Sequence, residues 1–185
     1  GTFEPWRPDA DQFADADLGA PLPDWPDERW LDIRSDGVRT IMRGRLDLAV
    51  ARGCDAVEPD NVDGYSNSPG VDLTEADQLA YNAFLAAEAH ARGLSVGLKN
   101  ALGLAKTLEP SFDWALNESC LEYDECELLA PFLAAGKAVF HVEYVDDVAD
   151  GPGVAAQVCG DPAIEGFSTL IKEWDLGPWR LTCDE

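Results

Sequence analysis

Positive charge is scarce in this chain. Only 13 lysines and arginines stand against 36 aspartates and glutamates in 185 residues, leaving a formal charge of −23. A surface of that sign repels phosphates, which excludes nucleic acid as a partner. Long apolar runs are missing too. None approaches the roughly 20 residues that cross a bilayer, so no membrane span is expected. The two histidines, His90 and His141, stand apart, and no paired C-x-x-C occurs among five cysteines. The usual zinc patterns are therefore absent, and neither metal nor cofactor is expected. Gly1 is not followed by the basic and apolar stretches of a leader. Core material is plentiful: 46% of residues are hydrophobic, with six Trp, seven Phe and four Tyr. That excludes wholesale disorder and suffices for a single domain over residues 1–185.

The cysteines bear on the compartment. Cys120 and Cys126 flank an acidic, turn-like stretch, and Cys159 and Cys183 bracket the last segment. Two disulfides, Cys120 with Cys126 and Cys159 with Cys183, are the simplest assignment and imply an oxidising, extracellular or periplasmic setting. Five reduced, mostly buried thiols are the alternative. Cys54, just before a predicted buried strand, is expected to be a free, apolar thiol.

Along the chain, short apolar runs alternate with amphipathic stretches. Strands are predicted near 29–33, 54–60, 94–100, 113–118, 138–144 and 167–171. A helix is predicted over 38–52 with Ile41, Leu46, Leu48 and Ala49 inward. A second runs from an N-cap at Thr74, with Asp77 three residues on, to a stop at Gly93. A third covers 128–135 and is closed by Gly136. Such alternation predicts an α/β fold with a parallel sheet covered by helices.

Successive strands finish in polar residues: Asp32, then Glu58 and Asp60, then Lys99 and Asn100, then Asn117 and Glu118, then Glu143. In parallel α/β folds those ends share one side, where ligands bind. Several ends converging on one polar centre suit a closed (β/α)8 barrel better than an open sheet. Six predicted strands leave a barrel two βα units short, and those units are expected to precede Gly1. A carboxylate cluster of this kind fits glycoside hydrolysis, in which one acid protonates the leaving oxygen and another attacks carbon or activates water. Trp6, Trp25, Tyr65, Tyr123 and Tyr144 could stack on sugar faces.

Specific strings carry a resemblance. Glu4-Pro5-Trp6-Arg7-Pro8-Asp9, Glu28-Arg29-Trp30-Leu31-Asp32-Ile33-Arg34, Val57-Glu58-Pro59-Asp60-Asn61-Val62-Asp63-Gly64-Tyr65, Gly97-Leu98-Lys99-Asn100, Asn117-Glu118-Ser119-Cys120 and Phe140-His141-Val142-Glu143-Tyr144 resemble the endo-α-1,4-polygalactosaminidases, glycoside hydrolase family 114. The resemblance spans nearly the whole chain. It implies a TIM barrel, secretion, endo-cleavage of α-1,4-linked galactosamine polymers, and Asp60 and Glu118 as the catalytic pair. By the same resemblance, the family's first barrel strands are expected to lie outside this sequence.

By analogy with barrel glycosidases acting on α-galactosides, Asp60 is expected to be the nucleophile of a retaining reaction and Glu118 the general acid/base. Lys99 either holds a catalytic carboxylate anionic or only neutralises the acids around it. Asp32, Asn61, Asn100, Asn117, Glu143 and Tyr144 are expected to contact the sugar or hold carboxylates. Glu58, Asp63, Glu122 and Asp124 either line an acidic groove or form a solvated face. The expected partner is a polysaccharide, a cationic amino-sugar polymer that a −23 chain attracts, acted on by a monomer. A barrel that binds polysaccharide without cleaving it is the competing reading. His141 is expected to be a hydrogen-bonded core or rim residue, and His90 a bland helix residue.

Overall fold

A computed structural model describes residues 1–183. They form two compact units, Gly1–Ala101 with Pro110–Phe112, and Leu102–Glu109 with the chain from Asp113 on.

In the first unit, β1 (Thr2–Phe3), β2 (Leu18–Pro21) and β3 (Arg29–Leu31) form an antiparallel sheet in the order β1-β3-β2. The strand predicted near 29–33 therefore exists but is not parallel to its partners. Seven residues connect β2 to β3, too few for the crossover that parallel strands need. The turn is closed by bonds from the Leu22 amide to the Glu28 carbonyl, 3.0 Å, and from the Glu28 amide to the Trp25 carbonyl, 2.9 Å. Gly19 is required in β2, because a Cβ there would stand 2.1 Å from the Pro69 carbonyl oxygen.

Helix α1 (Asp36–Ala51) is capped by Ser35, whose hydroxyl accepts from the Gly37 and Val38 amides. Its buried side is Val38, Ile41, Met42 and Leu46, spaced as one helical face. Leu48, expected inward, is exposed; it lies at the rim of that face in the last turn. Strand β4 (Ala56–Val57) pairs in parallel with β5 (Ser95–Lys99), and α2 (Glu75–His90) forms the crossover. Thr74 and Asp77 build the predicted capping box, and Gly93 ends the helical stretch at φ 74°.

Where a seven-residue strand over 54–60 was expected, β4 has two residues, because Pro59 lacks a ladder donor and Asn61 turns at φ 52°. Cys54 is free, as expected, but exposed rather than in apolar surroundings. It sits in the turn after α1, its amide bonded back to Ala49, and the neighbouring Ala56 is exposed as well.

The second unit contains α3 (Ala105–Leu108), β6 (Trp114–Glu118), α4 (Ala130–Ala134), β7 (Val139–Val145), α5 (Gly151–Val158), β8 (Ser168–Glu173) and β9 (Leu181–Thr182). Strands β6, β7 and β8 are parallel neighbours in that order, and β9 lies antiparallel to β8. Ala115, Asn117, Val139, His141, Glu143, Thr169 and Ile171 are buried and share one face of this sheet. The intervening residues, Glu118 and Tyr144 among them, occupy the other face and are less buried. Both predicted disulfides are present, with Cα–Cα separations of 4.8 Å for Cys120–Cys126 and 5.0 Å for Cys159–Cys183. No helix among the described residues is long and apolar enough to cross a membrane.

Candidate active site

The first unit presents Asp60 just past the end of β4. One carboxylate oxygen accepts the Asn61 amide at 2.7 Å, and the other lies 3.2 Å from the ammonium of Lys99, the last residue of β5. Lys99 also lies 4.0 Å from Glu58. The Asp60 side chain is 54% exposed while that of Lys99 is 16% exposed, so the cation is set back and the carboxylate faces solvent. A carboxylate oriented through both oxygens and still open to solvent can act as a nucleophile.

The backbone beneath Asp60 is pinned. The Gly1 nitrogen donates to the carbonyls of Asp60, 2.6 Å, and Asn61. The Asn61 side chain donates to the Thr2 hydroxyl at 3.1 Å, and Asn82 on α2 donates to the Val62 carbonyl at 2.9 Å. Glu58, Asp60 and Asn61 line a cleft of about 360 Å³ together with apolar Met42, Leu46 and Leu85 and charged Glu4, Glu28 and Arg45.

Asp63 and Tyr65 follow on the same segment, and burial raises the pKa of both. Asp32 is engaged elsewhere. Both its oxygens meet the Arg34 guanidinium at 2.8 Å, and Arg34 holds its pKa below the ordinary carboxylate value. Asn100 follows Lys99 at φ 50°. Trp6 and Trp25 are exposed.

In the second unit, Glu118 ends β6. The Tyr144 hydroxyl on β7 donates to a Glu118 carboxylate oxygen at 2.7 Å. Tyr144 is stacked in turn on Trp174, ring centroids 4.2 Å apart and planes 13° from parallel. Trp174 is 59% exposed, so the platform is open to a ligand. Trp174 is the residue sequence reasoning missed. The last parallel strand is predicted to end at 171, whereas β8 runs to Glu173, and Trp174 is the next position.

Asn117 and Glu143 point to the opposite, buried face from Glu118 and Tyr144, as strand alternation requires. Glu143 is 7% exposed and accepts from the Leu121 amide and from His141, both at 2.9 Å. His141 is wholly buried and also meets the Thr169 hydroxyl at 3.1 Å, as expected of a hydrogen-bonded core histidine. Tyr123 is exposed on the 119–126 turn, as are Glu122 and Asp124. Cys120, Cys126 and His141 lie together, but the two sulfurs are bonded to each other and so offer no thiolate to a metal.

A family model described as glycoside-hydrolase family GH114 matches residues 1–185. The crystal structure of Aspergillus fumigatus Ega3 in complex with galactosamine is similar at 46% identity and TM-score 0.93, over 99% of this chain and 75% of that one. The glycoside hydrolase domain of PelA from Pseudomonas aeruginosa is similar in fold at 14% identity and TM-score 0.72, over 98% of this chain and 78% of that one. A search of curated protein sequences returns no match.

Proposed function

The chain belongs to glycoside-hydrolase family GH114, and from that premise we propose that it cleaves α-1,4-linked galactosamine polymers at internal bonds. The observation that carries the substrate is the 46% identity to a protein crystallised with galactosamine. The charge of −23 supports it, because galactosamine polymers are cationic near neutral pH and an acidic protein attracts them. The parallel strand–helix units support placing them in a (β/α)8 barrel, and the two disulfides support secretion.

In the proposed reaction Asp60 attacks the anomeric carbon and Glu118 protonates the departing glycosidic oxygen. Water, deprotonated by Glu118, then releases the sugar with retained configuration. Lys99, 3.2 Å from one Asp60 oxygen, orients the carboxylate for attack. The Tyr144 hydroxyl orients Glu118, and Trp174 offers a sugar-stacking face next to it.

The test is release of reducing ends from de-N-acetylated galactosamine oligomers, with the anomer of the first product read by NMR. Internal cleavage with retention is expected. Asp60→Asn and Glu118→Gln should each lower turnover by several orders of magnitude with unchanged circular dichroism. Near-normal turnover in either variant, or an inverted product, would overturn the assignment of roles. Binding of the polymer without any cleavage would favour a purely carbohydrate-binding protein.

A further inference from the structure

The second unit holds a line of polar groups that the proposed reaction leaves unused. Thr169 on β8 meets His141 Nδ1 at 3.1 Å, and His141 Nε2 meets a Glu143 oxygen at 2.9 Å. The Leu121 amide donates to that same oxygen at 2.9 Å. Thr169, His141 and Glu143 are 1%, 0% and 7% exposed. A buried carboxylate costs several kcal/mol unless its lone pairs are filled, so what Glu143 holds is the question. A carboxylate only accepts, so Nε2 is the donor in the bond to Glu143.

What it holds is the turn behind Glu118. The β6–β7 ladder ends with Glu118 opposite Val142, plus one bond from the Ser119 amide to the Val142 carbonyl at 2.8 Å. Ser119 then adopts φ 63°, which carries the chain, and the Leu121 amide with it, out of the ladder. The Glu143 side chain reaches across and supplies the acceptor. The Cys120–Cys126 disulfide and a 2.9 Å bond from the Glu125 amide to the Cys120 carbonyl close the same turn.

We propose that Glu143, aligned by His141 and Thr169, is a positioning residue that fixes the 119–126 turn and so holds Glu118 against Tyr144. The proposal rests on the role given to Glu118 and deepens it. Glu143 lies on the face of β7 opposite Tyr144, so it acts through the backbone rather than on the sugar.

Two variants of the full chain test it on the galactosamine polymer. Glu143→Gln keeps a carbonyl oxygen for the Leu121 amide and His141, whereas Glu143→Ala leaves both donors unpaired. The alanine variant is expected to lose about ten-fold or more in kcat with KM within about two-fold, the split of a misplaced catalytic group. Hydrogen–deuterium exchange should quicken in residues 119–126 while β7 stays protected. The glutamine variant should stay within about three-fold of the parent and keep its exchange pattern.

Parent-like kcat in the alanine variant would overturn the proposal. So would a glutamine variant as inactive as Glu118→Gln, since the charge itself would then take part. Exchange reads the anchor without activity. If the parent cleaves no galactosamine polymer, the functional reading fails, yet a loosened 119–126 turn in the alanine variant still supports the anchor. An unchanged turn overturns it.

Discussion

Asp60 accepts from Lys99 and Glu118 from Tyr144, and these side-chain donors are where the proposed reaction can be tested. Lys99→Met removes the cation 3.2 Å from Asp60. It is expected to lower kcat by about ten-fold or more, because a bond to a charged group is worth roughly 1.5–3 kcal/mol. Parent-like turnover in steady-state kinetics would reduce Lys99 to a neutralising role. Tyr144→Phe deletes the hydroxyl on Glu118 but keeps the stack on Trp174, whereas Trp174→Ala removes the platform. The first should act mainly on kcat and the second mainly on KM; the reverse split would reassign the two residues.

Asp63 gives a pH test. Burial raises its pKa above the ordinary value of 3.8, so the folded state favours the protonated acid. Its contribution to stability is full below the unfolded pKa and is lost as pH rises through the raised folded value. Asp63→Asn mimics the protonated acid. Its denaturation midpoint relative to the parent should therefore rise between pH 3 and pH 7, and a constant difference would count against the shift.

At the scale of elements, helix ends were the most readable features, because a cap is a local hydrogen-bond arrangement within four or five residues. Thr74 and Asp77 form theirs on the solvent side of α2. Thr74→Ala should lower unfolding stability by about 1 kcal/mol, measured by urea titration. The same helix anchors the 58–65 segment through Asn82, fully buried, whose amide donates to the Val62 carbonyl. Asn82→Ala leaves that buried carbonyl unsatisfied, which should cost roughly 1–3 kcal/mol. A loss below about 0.5 kcal/mol would show that the 58–65 segment stands without α2.

The whole molecule adds a field and two crosslinks. A charge of −23 should draw in a cationic polymer, so KM for galactosamine oligomers is expected to rise from low to high salt while kcat changes little. A KM indifferent to salt would mean that recognition is short-range. The Cys159–Cys183 bond closes a loop spanning 24 residues and should contribute about 3 kcal/mol, more than the six-residue Cys120–Cys126 loop. Replacing Cys159 and Cys183 by serine should lower the melting temperature more than replacing the other pair.

The sequence by itself determined whatever depends on near neighbours or on a long, specific string: the cap of α2, the parallel strand–helix units, both cysteine pairs and the family. It also put Lys99 among the carboxylates, and the structure makes Asp60 its partner. Only the tertiary structure decided the antiparallel pairing of β3, the exposure of Cys54 and Leu48, and the stack of Trp174 on Tyr144. It also separated the two faces at the end of β7, turning Glu143 toward His141 and Tyr144 toward Glu118. The physical reason is one of range. A cap or turn is written in adjacent residues, whereas exposure and contacts such as Trp174 on Tyr144 or Tyr144 on Glu118 join segments distant in the chain, which composition and periodicity do not encode.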